Sequence, residues 1–195
     1  MFIELTDHLR CPAEHEEQFL VLVPAELRGR DVWAGSLGCP VCQRNYPVRA
    51  GVAIFGTQPG IASAPTPLDG EAQAALAGLG SPGGYVVLVG GAAARAPDLA
   101  AALPGVALVL VNPPDNLALP PLASCLVAPR LPLKQRSMRA VILGSGYGDD
   151  RAWITDAARV VLPGNRVVGE GSVGDLPGLA LAATAGQCWV ATKER

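Results

Sequence analysis

Tyr85-Val86-Val87-Leu88-Val89-Gly90-Gly91-Ala92-Ala93-Ala94-Arg95 opens on an unbroken apolar run, passes through two glycines and enters a helix-forming stretch that continues to Leu103. A strand without polar alternation is buried on both faces, which is the habit of parallel sheets. A glycine turn leading straight into a helix is how such a strand starts its crossover. Further strands are expected at residues 106–111, 124–128, 139–143, 166–170 and 188–192, with a helix from about residue 150 to 162. Apolar strands alternating with helices predict an α/β fold whose mostly parallel sheet is covered on both faces.

Composition narrows the function. The chain has 195 residues, half of them hydrophobic, so a sizeable core is available. A net charge of −2 argues against a general nucleic-acid or anionic-membrane binder. No apolar run is long enough to predict a membrane span, and Met1-Phe2-Ile3-Glu4 does not read as a secretory signal. Five cysteines fit a reducing cytoplasm better than a disulfide framework. Cys125 and Cys188 lie in strand-like runs and read as plain buried residues.

The other three cysteines have a different logic. Cys39-Pro40-Val41-Cys42 places two thiols in one tight turn, and Cys11-Pro12 supplies a similar corner upstream. Zinc takes four nitrogen or sulfur ligands, so Cys11, Cys39 and Cys42 lack one. His15 offers the fourth at a C-x3-H spacing, Glu14 is its rival, and His8 lies further off. The competing reading is three unrelated buried thiols. No base stands beside an open coordination position, so the expected zinc is structural and folds the module. Around it, residues 19–23, 31–37, 45–48 and 51–55 read as short strands of an antiparallel sheet. A unit below about 70 residues benefits from such a staple. The expected organisation is therefore a β-rich zinc module at 1–55, a linker at 56–69 rich in Pro, Gly, Ala and Ser, and an α/β domain at 70–195. The last opens with a short helix at 71–79, ended by Gly80-Ser81-Pro82-Gly83-Gly84.

Two resemblances sharpen these expectations. Leu9-Arg10-Cys11-Pro12, Gly35-Ser36-Leu37-Gly38-Cys39-Pro40-Val41-Cys42 and Tyr46-Pro47-Val48-Arg49-Ala50-Gly51-Val52 together resemble the small zinc-binding activator subunit of tRNA and translation-factor methyltransferases. Relatives usually carry Cys where this chain offers His15 or Glu14. The resemblance implies a protein that docks on a methyltransferase, stabilises it and shields its apolar surface. Residues 70–195 are similar to a class I S-adenosylmethionine-dependent methyltransferase, read in order through Val86-Val87-Leu88-Val89-Gly90, Val111-Asn112-Pro113-Pro114, Leu126-Val127-Ala128-Pro129-Arg130-Leu131-Pro132-Leu133, Ser137-Met138-Arg139-Ala140-Val141-Ile142-Leu143 and Leu162-Pro163-Gly164-Asn165-Arg166-Val167-Val168. That likeness implies a Rossmann-like, methyltransferase-type sheet.

Read against the same family, the acidic groups that would grip the donor are missing. Leu88, Asn112, Val127 and Arg139 stand where carboxylates are expected, and Ala92 and Ala94 replace two loop glycines beside the surviving Gly90. A hydrogen bond to a charged group contributes about 1.5–3 kcal/mol. Losing two or three of them takes most of the roughly 8 kcal/mol behind a micromolar ligand. Only Gly90 and Asn112 remain as vestigial donor contacts, so S-adenosylmethionine binding is not expected. The expectation is a non-catalytic zinc-binding partner or scaffold with a pseudo-methyltransferase domain, acting on a methyltransferase or a second copy of itself. The zinc module would pack either on its own α/β half or on that of another chain, by strand addition at a sheet edge. The alternatives are an atypical active methyltransferase, with residues 144–148 shaping its substrate site, and a binder of some other nucleotide or metabolite. Arg130, Lys134, Arg136 and Arg139 form a basic run in sequence, and Asp149 and Asp150 read as cap and first-turn residues of the following helix.

Overall fold

A computed structural model of the chain describes residues 1–61 and 64–195. Ala62 and Ser63, which belong to the expected linker, lie outside the described residues. A 3-10 helix, Ile3–His8, precedes four short strands: β1 (Val21–Arg28), β2 (Asp31–Gly38), β3 (Asn45–Arg49) and β4 (Val52–Ile54). Helix α1 (Gly70–Leu76) leads into β5 (Tyr85–Val89), a second 3-10 helix (Gly90–Arg95) and α2 (Ala96–Ala102). Then follow β6 (Ala107–Val111), β7 (Ala123–Val127), β8 (Met138–Leu143), α3 (Arg151–Val160), β9 (Val161–Glu170), β10 (Leu179–Ala185) and β11 (Cys188–Lys193).

All the strands belong to one sheet, ordered β1-β2-β3-β4-β7-β6-β5-β8-β9-β11-β10. The run from β4 to β9 is parallel throughout, whereas β1 to β4 and β9, β11, β10 pair antiparallel. Within the second half the order third-second-first-fourth-fifth is that of a Rossmann-like sheet. The α/β class and the mostly parallel sheet are as the sequence predicts.

Apolar strands of this kind bury both faces. Val87 and Val89 enter one core with Leu5, Leu9, Trp153 and Ile154. Val86 and Leu88 enter the other, with Ala74, Ala77, Ala96 and Leu99. Helices α1 and α2 therefore cover one face, and α3 with the first 3-10 helix the other. The cover is thinner than strict strand–helix alternation predicts, because the β6–β7 and β7–β8 connections form no helix. Asp69 and Asp150 cap α1 and α3, the latter accepting from the backbone N–H groups of Ala152 and Trp153. Strand β10 has no counterpart in the sequence reading; Leu-Ala-Leu-Ala-Ala-Thr-Ala carries little β-propensity, and pairing with β11 makes it a strand.

The cysteine-bearing residues dock on their own α/β half. Strand β4 adds to β7 in parallel, and Phe55 N–H continues the ladder to the Val127 carbonyl at 2.7 Å. One core runs through both parts, from Leu37, Tyr46 and Phe55 to Leu131, Leu133 and Val141. No helix among the described residues is long and apolar enough to cross a membrane.

Candidate metal centre and switch-point crevice

Two local structures bring the thiols together. After β2 the chain turns through Pro40 and Val41, closed by the Cys39 N–H on the Arg44 carbonyl (2.9 Å) and the Gln43 N–H on the Cys39 carbonyl (3.0 Å). The second is a loop between a bridge of Arg10 to Phe19 and a Cys11 N–H bond to the Gln18 carbonyl (3.0 Å). Cys11 opens this loop and His15 stands in its bend.

Cys11, His15, Cys39 and Cys42 each offer a ligand atom, and those atoms all lie within 4.8 Å of one another. Cys11 Sγ is 3.6 Å from Cys42 Sγ, and His15 Nε2 is 3.4 Å from Cys39 Sγ. Around zinc, with bonds of about 2.3 Å to sulfur and about 2.0 Å to nitrogen, tetrahedral edges come to about 3.8 and 3.5 Å. The set is thus close enough to hold a metal ion. His15 Nδ1 lies 2.7 Å from the Glu16 carbonyl, which can only accept; the proton therefore sits on Nδ1 and leaves the Nε2 lone pair facing the thiols. Tyr46 Oη is 3.2 Å from Cys11 Sγ, close enough to donate to that sulfur when it is a metal-bound thiolate. The Cys42 thiol is pulled down to about 6, first by a backbone hydrogen bond at Arg44 and further by its bonds to His15 and the other two cysteines. Burial pushes the Cys11 thiol up.

Of the rival ligands, Glu14 is not in this group, and His8 packs its ring on Tyr85 instead, with centroids 4.6 Å apart. The loop is also tied to the α/β half through a residue the sequence does not advertise. Glu17 accepts from the Gln135 N–H at 2.9 Å and pairs with Arg10 and Arg159. Arg130 and Arg159 both pair with Asp156.

The basic run in sequence does not form one patch. Arg130 is bound to α3, whereas Arg139 donates to the carbonyls of Ser81, Pro82 and Gly83 ahead of β5. Arg139 therefore lies at the N-terminal end of the parallel strands, away from the crevice. Ligands of open α/β sheets bind outside the carboxyl ends of the strands, where the strand order reverses. Here that point lies between the ends of β5 and β8. Gly90 stands there with φ +59°, a left-handed conformation that suits glycine. Asn112 is at the end of β6, but its Nδ2 donates to the Ala128 carbonyl at 2.8 Å and its Oδ1 accepts the Ala128 N–H at 2.9 Å. It clamps the ends of β6 and β7 and is buried. Asp150 caps α3, and Asp149 accepts from the N–H and hydroxyl of Ser172. Cys125 and Cys188 are buried in strands, as expected.

Fold and site together define a Rossmann-like α/β protein with a Cys3His cluster built onto one end of its sheet. No protein-family model matches the chain, and no curated protein matches it. Among solved structures, the crystal structure of the antibiotic-resistance methyltransferase Kmr is similar to it, with a TM-score of 0.46 and 15% sequence identity, over 71% of this chain and 98% of that one.

Proposed function

We propose that the chain is a non-catalytic zinc-binding partner or scaffold protein with a pseudo-methyltransferase half, acting through contacts with a methyltransferase or with a second copy of itself. Zinc is favoured by the donor set, three thiols and an imidazole whose ligand atoms all lie within 4.8 Å of one another. With four protein ligands the coordination is closed, so the ion holds the residue 10–19 loop to the Cys39–Cys42 turn and supplies no reacting water.

The observation that carries the non-catalytic reading is Asn112. Among the positions that the methyltransferase likeness would give to the donor it alone keeps a side-chain acceptor, and its Oδ1 and Nδ2 both bond the Ala128 backbone. Freeing it would leave two buried backbone groups unpaired, at about 1–3 kcal/mol each. Surface recognition is favoured by the outer strand of the docked module, where Val21, Val23 and Leu27 are exposed together with nearby Phe19. An open strand edge of this kind accepts another chain by strand addition. Five free cysteines suit a reducing cytoplasm.

Two measurements on the zinc-loaded protein test this reading together. Calorimetric titration with S-adenosylmethionine and S-adenosylhomocysteine should give no saturable heat, and affinity capture from the native host should recover a methyltransferase or a second copy. Micromolar donor binding would favour the competing reading, an atypical active methyltransferase.

A further inference from the structure

We infer that the loop after β8 is a built-in occupant of the switch-point crevice, with the Tyr147 ring holding the room that a planar nucleobase takes in a ligand-binding sheet of this order. The inference deepens the non-catalytic reading and rests on it, but its test uses no methyl donor, so each can fail alone.

The crevice is closed first by backbone. Gly144 N–H donates to the Val89 carbonyl at 3.0 Å, joining the end of β8 to the end of β5 where the strand order reverses. A Cβ at residue 144 would lie 2.8 Å from the Val89 oxygen, 2.8 Å from the Ala92 nitrogen and 2.9 Å from the Gly91 nitrogen. Only glycine permits that approach, so the closure is written into the sequence. The turn that follows is fixed by the N–H groups of Tyr147 and Gly148 on the Gly144 carbonyl, both at 3.0 Å.

A side chain then fills the remaining space. Tyr147 is fully buried and meets Trp153 of α3 edge-on, with centroids 4.8 Å apart. Its buried hydroxyl faces the side chains of Asn112, at the end of β6, and Gln58, in the segment after β4, without a hydrogen bond to either. The ring thus reaches from the loop after β8 towards the end of β6, across the tip of β5. A chain that places its own aromatic ring there leaves no room for a base.

Emptying the room is the test. In Tyr147→Ala, both p-cresol (the free analogue of the lost side chain) and adenine should raise the melting temperature saturably, with neither affecting the unaltered protein. A folded variant that responds to neither, or to p-cresol alone as an ordinary core cavity would, overturns the inference. Should Tyr147→Ala fail to fold, Gly144→Ala reads the same closure. Amide exchange at Tyr147 and Gly148 should quicken by about tenfold or more while β5 and β6 hold their protection; unchanged exchange overturns the inference equally.

Discussion

His15 shows how much a single side chain can add to the candidate metal centre. Spacing favours it as the fourth ligand but leaves Glu14 a rival, because both lie on one short loop near Cys11. The Glu16 carbonyl favours His15 by accepting a hydrogen bond from its Nδ1–H, which leaves Nε2 facing Cys39. Tyr46 plays the matching part for Cys11, and ligand-orienting partners of this type carry about 10–100-fold in metal affinity. Two substitutions separate ligand from partner. Cys39→Ser should abolish stoichiometric zinc, and Tyr46→Phe should retain it with affinity weakened about tenfold. Competition against a chromogenic chelator reads both; equal affinity in Tyr46→Phe would remove the tyrosine from the site.

Elements follow the sequence where local signals are strong. The strand Tyr85–Val89 has the bounds its apolar run predicts, and Asp150 caps α3 as its position before Trp153 and Ile154 suggests. Local chemistry predicts less well where pairing decides. The stretch after Gly90 starts as a 3-10 helix before α2, and β10 is a strand only because β11 lies beside it. The α3 cap gives a clean expectation at this scale. Asp150→Ala removes the acceptor for two N–H groups and should cost about 1 kcal/mol. Urea unfolding measures it, as a lower midpoint with an unchanged slope.

For the whole molecule, the sheet does not stop at the edge of the cysteine-bearing part. Strand β4 lies on β7, the Lys134 N–H reaches the His8 carbonyl at 2.8 Å, and Glu17 links the loop of residues 10–19 to Arg159. Because one hydrophobic core spans both parts, they should unfold together. Scanning calorimetry should show a single transition in the zinc-loaded protein. Stripping the metal with a chelator should lower that transition as a unit, since a ligand held only by the folded state stabilises all that folds with it. A separate early transition of the first 55 residues would contradict this.

What the sequence determined by itself were features written in neighbouring residues: buried strands from unbroken apolar runs, the start of α3 from Asp150, and a thiol corner from Cys39-Pro40-Val41-Cys42. Tertiary structure alone decided that the module docks in cis through β4, that Asn112 bonds the Ala128 backbone, that Arg139 lies at the other end of the sheet, and that Tyr147 is buried against Trp153. The reason is physical: each of these is a contact between residues far apart in the chain, and local propensity and spacing hold no information about which distant backbone group a side chain will meet.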